Sequence, residues 1–513
     1  MFSFSSGIPR SSGVLMHPSS LPGSPVCGTF GAPAREWLHL LAKNGIGVWQ
    51  FLPLSPCDST GSPYSSPSAF ALNAWFLDAE DLAIEGFIGN NLLSQLPGAY
   101  EGNCNFLSLQ LAESRSDCLG KYLVSSWPNQ SSSRHKEFSE WIDSQDWLND
   151  YAFFIELRRQ NNQLPWWEWP DHFAHHDQRA LNQWSCLNEK ELLEHKLIQW
   201  HLDRQWQKIR KLSADLGVLL FGDMPFYVSR DSADVWGKRS LFSVGSSGEL
   251  EIQSGVPPDY FSETGQLWGT PVYLWESHQA TQFHWWRSRF SNQWNKLDFL
   301  RLDHFRALVS YWAVSGGSNT AEEGKWEDSP GEELLKYIKQ DCNSRLPLVA
   351  EDLGIITKGV EILRDKFHLS GMKILQFAFN GEENNPYLPE NIKGTDWVVY
   401  SGTHDNPTSL EWWNNLDDSI RNIVDKICFN KLDPPAWKLI EIGMSTKANL
   451  FIAPIQDLLN LDYQARFNKP GTLGNNWLWK LENWNSSVES SLEKFGNQSL
   501  YWKRSFLDKK LLN

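Results

Sequence analysis

The sequence has 513 residues and a formal net charge of −15. This acidic balance argues against nucleic acid and against an anionic membrane as the main partner. The length is sufficient for a large hydrophobic core, either in roughly three average domains or in one barrel with insertions.

The seven cysteines are dispersed and form no CxxC pair, which is typical of buried thiols in a reducing compartment. Residues 1–20 contain no apolar core of signal-peptide length, and no run of about 18 apolar residues occurs in the chain. We therefore expect a cytoplasmic protein without a membrane span, either a monomer or a weak homodimer.

Tryptophan is unusually frequent, with 28 copies. Each indole buries a large flat area and keeps one N–H donor for a partner. Core packing is expected to use most of them, whereas a minority would be platforms on which the apolar faces of sugar rings stack. The composition leaves both interpretations open.

Eight short apolar runs are predicted as strands, with helical patterns between them. Strands that alternate with helices indicate parallel β-α units, and eight such units predict an α/β fold, the (β/α)8 TIM barrel. In chain order the runs are VLMHPSS (14–20), GVWQFLPL (47–54), VLLFGDMPFYV (218–228), FLRLDHFRAL (299–308), PLVAEDLG (347–354), MKILQFAF (372–379), VVYSGTHDN (398–406) and LFIAPIQDLL (450–459).

A long helix is predicted over residues 189–217. Gly217 follows the last periodic residue, at the position of a C-terminal cap. The apolar residues that recur at helical intervals are Leu193, Leu197, Trp200, Ile209 and Leu212.

Two gaps between strands are too long for simple β-α loops. We therefore predict one catalytic barrel over residues 1–513 that carries two insertions. The first, 78–195, is expected to be largely helical, with a helix or a helix pair at 135–160. The second, 229–295, is expected to be rich in loops and to carry a cleft-covering loop at 255–271.

Acidic residues end four of the predicted strands. Side chains at the carboxyl ends of barrel strands face the active site, so these acids are expected to converge. Taken singly, each is more typical of a helix cap, a loop acid or a buried ion pair. Several like charges in one mouth reduce stability, however, unless chemistry requires them. The acids are Asp223, Asp303, Glu351 and Asp405, and Arg301 and His404 accompany them.

Two carboxyl groups on opposite sides of the scissile bond are needed for glycosidic chemistry. Arg301 lies one same-face step from Asp303 and is expected to hold it ionised as a nucleophile. Apolar residues precede Glu351, which favours a raised pKa and an acid role. Asp405 is expected to bind sugar hydroxyls or to stabilise the transition state. We predict that the carboxyls of Asp303 and Glu351 lie about 5–5.5 Å apart, the spacing of retaining enzymes.

Clustered acids and histidines are also typical of metal sites. The sequence contains no HExxH motif and no EF-hand loop, and its other Asp-rich spots lack ligand spacing. We therefore expect neither a metal ion nor a cofactor.

A series of motifs covers nearly the whole chain: SSGVLMHPSSLPG (11–23), WQFLPLSP (49–56), GSPYSSPSAFALN (61–73), GDMPFYVSRDSADVW (222–236), GVPPDYFSETGQLWGTPVY (255–273), RLDHFRAL (301–308), VAEDLG (349–354), SGTHDNPTS (401–409), PIQDLL (454–459) and RFNKPGT with NNW (466–477). In content and order they resemble the motifs of the 4-alpha-glucanotransferases. These are the amylomaltases or disproportionating enzymes, glycoside hydrolase family 77 of the alpha-amylase clan.

The resemblance implies Asp303 as nucleophile, Glu351 as general acid and base, and Asp405 as the residue that stabilises the transition state. It also implies a larger set of substrate-binding residues. Arg301, His404 and Asp223 would contact the sugar at the cleavage point, Tyr64 with Ser62 the donor and acceptor rings, Gln266, Trp268 and Tyr260 would belong to the segment that covers the cleft, and Asn476 to a late sugar-binding motif.

The covering segment, 255–271, has two interpretations. Its Pro and Gly content is equally typical of a rigid linker. Tyr260, Phe261 and Trp268 favour a lid that contacts sugars. A lid would keep water away from the glycosyl-enzyme.

These features predict a retaining 4-alpha-glucanotransferase of glycogen or starch metabolism. It would move an α-1,4-glucan segment from a donor maltooligosaccharide to the 4-hydroxyl of an acceptor glucan or glucose, through a covalent glycosyl-enzyme. Its partners would be maltooligosaccharides and other α-1,4-glucans. An α-glucan hydrolase of the same clan would use the same acids. A non-catalytic α-glucan-binding protein would gain nothing from three converging acids.

Overall fold

The structure is a computed structural model that describes residues 7–23, 26–258, 263–342, 345–354 and 356–506. Tyr260 and Phe261, two aromatic residues of the expected lid, lie outside these residues. Every other residue implied in the site lies within them.

The described strands form two sheets. They are Ser11–Leu15 (β1), Val48–Gln50 (β2), Leu219–Met224 (β3), Ile252–Val256 (β4), Gln266–Pro271 (β5), Phe299–Leu302 (β6), Ser310–Ser315 (β7), Gly324–Asp328 (β8), Leu348–Ala350 (β9), Gly371–Ile374 (β10), Trp397–Tyr400 (β11) and Leu450–Pro454 (β12). The larger sheet has eight parallel strands in the order β10, β11, β12, β1, β2, β3, β6 and β9.

The two edges of the larger sheet meet. A parallel bridge joins Val349 to Ser370, and the Ala350 N–H donates to the Ser370 carbonyl at 2.8 Å. The sheet therefore closes into a (β/α)8 barrel, and the predicted fold is confirmed.

Each predicted strand run overlaps one barrel strand, but the strands are shorter than the runs, and β1, β10 and β11 begin before theirs. In the run 299–308, β6 ends at Leu302, and Asp303 begins the loop. Strands β1, β3, β6 and β12 are buried along their whole length, as expected for a parallel sheet covered by helices. Most polar residues at the ends of the runs are thus loop residues at the mouth of the barrel, whereas Asp223 lies within β3.

The α-helices of the described residues fill the connections between strands. They are Ala32–Lys43 (α1), Ala79–Ile84 (α2), Leu109–Ser126 (α3), Ser132–Asp143 (α4), Leu148–Gln160 (α5), Asp171–Ala174 (α6), Gln178–Leu187 (α7), Glu189–Leu216 (α8), Ala233–Gly237 (α9), Trp275–Ala280 (α10), His284–Trp294 (α11), Gly331–Cys342 (α12), Lys358–Lys366 (α13), Ser409–Asn414 (α14), Asp418–Ile427 (α15), Pro435–Ser445 (α16), Ile455–Leu458 (α17) and Ser486–Tyr501 (α18). None of these helices is both long enough and apolar enough to cross a membrane.

Helix α8 is the long helix predicted ahead of the third barrel strand. Leu197, Trp200 and Ile209 are buried on its inner face. Gly217 ends it with a φ of 77°, the left-handed conformation that glycine adopts without steric cost. The periodicity and the cap are both confirmed.

Helices occupy most of the segment 78–195. The pair α4 and α5 lies at the position of the predicted helix pair. Residue 195, the expected end of this insertion, falls inside α8, a continuous helix that packs against α3 and α5. The division of the chain into a barrel with two insertions stays a prediction.

The segment 229–295 contains more regular structure than expected. Strands β4 and β5 pair with each other, and β7 and β8 extend them into a four-stranded antiparallel sheet. The last six residues of the segment 255–271 form β5 and are not a loop, and the covering of the cleft by this segment stays a prediction. The strand is fixed by pairing with distant residues, and its local Gly and Pro content concealed it.

Core packing accounts for much of the tryptophan content, since half of the 28 indoles are buried. Trp49 and Trp206 pack with Phe51 beside the barrel strands. Trp268 and Trp326 are different, because 37% and 41% of their surfaces are exposed. A minority of the indoles is thus available for stacking on a ligand.

We predict that Gly217→Ala lowers the free energy of unfolding by about 1–2 kcal/mol, the cost of a left-handed backbone with a Cβ. An added Cβ has space there, with the nearest atom, in Phe506, at 4.0 Å, so strain is the only penalty. Gly102→Ala is the matched control, since no atom lies within 4 Å of its Cβ and its φ is not positive. Urea unfolding that gave equal midpoints for the two variants would contradict this.

Candidate active site

The four predicted acids lie at or beyond the carboxyl ends of four barrel strands. Asp223 belongs to β3, and Asp303 and Glu351 directly follow β6 and β9. Asp405 lies in the loop after β11. The barrel therefore brings residues that are up to 182 positions apart in the sequence to one mouth.

Arg301 connects two of these acids. Its Nη1 donates to both carboxylate oxygens of Asp223 at 2.9 and 2.8 Å, and its Nη2 lies 2.8 Å from Oδ1 of Asp303. The side chain of Arg301 is 7% exposed, whereas that of Asp303 is 33% exposed. Arg301 thus lies on the buried side of Asp303, and the carboxylate of Asp303 is open to the mouth of the barrel.

Arg301 and its two partners, Asp223 and Asp303, stabilise one another's ionised forms. Burial opposes the charge of Arg301, but Asp223 and Asp303 hold its pKa well above the usual range. Burial also raises the pKa of Asp223, yet the far more basic guanidinium keeps the proton, so this pair is ionised.

Asp223 is paired with Arg301 and enclosed, and its contact with the sugar stays a prediction. Its carboxylate is 1% exposed. One oxygen accepts from Arg301 alone, and the other accepts both from Arg301 and from the Tyr64 hydroxyl at 2.9 Å. Both oxygens are therefore used within the protein, and Asp223 orients Arg301.

Glu351 has a different environment. Its Oε2 accepts from the His304 N–H at 2.9 Å, and its Oε1 accepts from the Leu353 N–H at 3.1 Å. Burial and the negative charge of Asp303 nonetheless raise the pKa of Glu351 to about 7. A carboxyl with this pKa both releases and accepts a proton near neutrality, which is the requirement for a general acid and base.

The turn after Asp303 makes this contact possible. His304 has a φ of 49°, a left-handed conformation that is uncommon for a residue with a side chain. This backbone directs its N–H to Glu351. Its ring packs edge-on against Trp268 with 4.7 Å between centroids, and burial lowers the pKa of His304 to about 4. The imidazole is therefore neutral near pH 7.

Asp405 is held from two sides. The Nδ2 of Asn468 donates to its Oδ1 at 2.6 Å, and the Nε2 of His404 lies 3.3 Å from its Oδ2. Burial opposes ionisation of Asp405, but His404 and Asn468 outweigh it and lower its pKa to about 2. Asp405 is thus ionised near neutral pH.

Tyr64 contacts both Asp223 and His404. Its hydroxyl binds Asp223, and its ring stacks on that of His404 at 5.2 Å and 16°. The Oγ of Ser62 accepts from the Tyr64 N–H at 3.3 Å and so positions the tyrosine from within its own turn. Tyr64 therefore lies between Asp223 and His404, and its contact with substrate stays a prediction.

The remaining predicted residues are placed less centrally. Gln266 and Trp268 project from β5, where Trp268 reaches the ring of His304. Asn476 bonds within its own loop, accepting from the Lys469 N–H at 3.1 Å and donating to the Thr472 carbonyl at 3.0 Å. It therefore shapes that loop. Tyr260 lies outside the described residues.

Two contributors to the site were not identified from the sequence. Asn468 belongs to the RFNKPGT motif, which signalled a functional segment without indicating which side chain reaches Asp405. The backbone N–H of His304 leaves no signal in a sequence, because any residue supplies an N–H. Among the described residues, no group of three or more His, Cys, Asp or Glu is arranged to hold a metal ion.

The barrel mouth combines an arginine-bound carboxylate with a second carboxyl of pKa about 7, and a third acid is held ionised beside them. Such a set defines an enzyme that cleaves or transfers glycosidic bonds.

Comparisons with known proteins narrow this class. The glycoside hydrolase family 77 profile, 4-alpha-glucanotransferase, matches residues 16–486. The 4-alpha-glucanotransferase of Synechocystis sp. is 39% identical over 503 residues, covering 96% of this chain and 99% of that protein. The 4-alpha-glucanotransferase of Thermus thermophilus is 37% identical over 493 residues, covering 92% of this chain and 95% of that protein.

A solved structure agrees with these matches. The amylomaltase of Streptococcus agalactiae, solved in complex with acarbose, aligns with a TM-score of 0.91 and 30% identity over 97% of this chain and 100% of its own. The chain belongs to the 4-alpha-glucanotransferase family, glycoside hydrolase family 77.

We predict that kcat/KM for maltotriose falls as the pH rises through about 7, because Glu351 must carry a proton to assist the leaving oxygen. Its pKa is raised, so the protonated form is lost on the alkaline side. Initial rates between about pH 5 and pH 9 measure this limb. A rate that stayed constant from neutrality to the alkaline end would contradict the assignment, provided that Glu351→Gln is inactive throughout.

Proposed function

We propose that this 4-alpha-glucanotransferase works by a retaining double displacement, with Asp303 as nucleophile and Glu351 as general acid and base. An oxygen of Asp303 attacks the anomeric carbon of the donor, and the C1–O4 bond breaks as Glu351 protonates the leaving oxygen. Glu351 then takes the proton of the acceptor 4-hydroxyl, whose oxygen displaces the Asp303 ester. Each step inverts C1, so the α-linkage is retained.

The observation that carries this proposal is the contrast between the two carboxyls. Asp303 is held 2.8 Å from a buried cation and is open to the mouth, which suits a nucleophile. Glu351 receives two backbone N–H groups and has a pKa of about 7, which suits proton transfer.

Asp405 supplies the third role. Cleavage develops positive charge on the sugar ring, and a fixed negative charge beside the ring stabilises that state. His404 and Asn468 hold Asp405 ionised and in one orientation, so little reorganisation accompanies the reaction. Tyr64, stacked on His404, would form one wall for the bound sugar.

Transfer, as opposed to hydrolysis, requires that an acceptor glucan reach the ester before water does. Trp268 on β5 packs against His304, the residue next to the nucleophile. Its exposed face would contact a glucan and help to cover the ester. Family membership and this covering strand favour a transferase over a hydrolase of the same clan.

We further propose that the enzyme works in the cytoplasm on glycogen-type or starch-type glucans, as a monomer or a weak homodimer. The seven cysteines, all within the described residues, form no disulfide with one another. This pattern supports a reducing compartment.

We predict that the enzyme converts maltotriose alone into glucose together with maltopentaose and longer chains. Asp303→Asn should lower this rate at least about 1,000-fold, since the nucleophile is lost while the fold is kept. Products are separated by size. Asp418→Asn is the matched control, because that carboxylate is 91% exposed on the surface, and its rate should be unchanged.

Two results would contradict the proposal in different ways. Glucose and maltose without any longer product would identify a hydrolase. Undiminished transfer by Asp303→Asn would place the nucleophile elsewhere.

A further inference from the structure

A polar cavity lies away from the barrel mouth, and none of Asp303, Glu351 and Asp405 lines it. It has a volume of about 200 Å³ and is formed where the segment around α4 and α5 meets α8 and the end of α11. Its lining combines two indoles, several amides, one carboxylate and one amine. The residues on which its chemistry depends are Trp141, Trp147, Gln145, Asp203, Asn292 and Lys296.

The two indoles are fixed by their own hydrogen bonds. Trp141 donates from Nε1 to Oδ2 of Asp203 at 2.9 Å, and Trp147 donates from Nε1 to Oε1 of Gln145 at 3.0 Å. Trp147 also stacks on Phe70 at 6.2 Å and 15°. Since the N–H groups are already bonded, what the rings offer to a ligand is their flat apolar surface.

The base of the cavity is a buried amine. Lys296 is 7% exposed, and its Nζ donates to the Phe70 carbonyl at 3.0 Å and to Oδ1 of Asn292 at 2.5 Å. An ammonium has three donors, so one is left for a ligand. Among the described residues, the amide N–H group of Asn292 has no hydrogen-bond partner and is a further donor.

We propose that this cavity binds a single glucopyranose unit, either free glucose or a terminal unit of a glucan. Hydroxyls of a sugar both donate and accept, which matches a lining of amides, a carboxylate and an amine. Asp203 disfavours a phosphorylated ligand, and the polar lining disfavours an apolar one. A cavity of about 200 Å³ has room for one sugar ring.

The cavity lies behind the loop that carries Tyr64. Gln199, at its wall, binds both the N–H and the carbonyl of Leu72 at 2.8 Å, and Lys296 binds the carbonyl of Phe70. Lys296 also lines a different cavity, whose walls include Tyr64 and Asp223. A glucan end held in this site is therefore anchored to the segment that continues the Tyr64 loop.

The test is affinity electrophoresis of Asp303→Asn in gels that contain glycogen, with and without a further Trp141→Ala substitution. Asp303→Asn is used to suppress turnover, and both proteins carry it. Any residual turnover is therefore common to the two, and failure of the catalytic proposal does not affect the comparison. We expect Trp141→Ala to raise the apparent dissociation constant for glycogen by about 2- to 12-fold, the range for loss of one aromatic contact. Equal retardation of the two proteins would overturn the proposal.

Trp184→Ala is the matched control. Trp184 lies in the same helical segment, is half-buried, and donates from Nε1 to a side-chain oxygen, Oε1 of Gln160, at 3.1 Å, but it does not line the cavity. It should leave retardation unchanged. Asn292→Ala repeats the test without removing an indole, in case Trp141→Ala unfolds, which a thermal melt reports. Equal losses from Trp184→Ala would also overturn the proposal.

Added sugars distinguish the two sources of the ligand. If millimolar glucose removes the difference in retardation between Asp303→Asn and its Trp141→Ala form, the cavity accepts the free monosaccharide. If maltoheptaose removes it and glucose does not, the site requires the end of a glucan. If neither sugar does, the proposal is wrong.

Discussion

The arrangement of the mouth depends on Arg301. This one buried cation spans Asp223 on the neighbouring strand and Asp303 beyond the end of its own strand, with contacts of 2.8–2.9 Å. Because Asp223 is buried and also bonded to Tyr64, its carboxylate is fixed and holds the guanidinium of Arg301 in place. Removing the cation would leave a buried carboxylate unpaired, at a cost of about 3–5 kcal/mol. The same interaction thus fixes Asp303, the proposed nucleophile, and stabilises the mouth of the barrel.

The other two acids at the mouth, Glu351 and Asp405, have pKa values shifted in opposite directions. Glu351 is buried near the charge of Asp303, which raises its pKa to about 7, whereas Asp405 is held by His404 and Asn468, which lower its pKa to about 2. The surroundings of the two carboxyls therefore suit Glu351 to the proposed proton transfer and Asp405 to the proposed stabilisation of charge. The left-handed turn at His304 contributes by aiming a backbone N–H at Glu351.

The sequence was sufficient to predict the barrel, α8 with its Gly217 cap, and the convergence of the four acids, because strand ends are local signals and a barrel collects them in one place. It did not predict β5, since that strand exists through pairing with residues 252–256 rather than through its own composition. Nor did it predict that Asp223 is enclosed or that Asn468 binds Asp405. Those contacts join residues 63 or more positions apart, and only the folded chain determines them.

The most direct test of the central claim is to trap the glycosyl-enzyme. Glu351→Gln incubated with α-maltosyl fluoride should form the ester, because fluoride leaves without a proton, and should then hydrolyse or transfer it slowly for lack of a general base. Intact-protein and peptide mass spectrometry should find one maltosyl group on the peptide that contains Asp303, as an ester of that carboxylate. Rapid fluoride release without any ester, or an ester on another residue, would contradict the assignment of Asp303 as the nucleophile presented by Arg301.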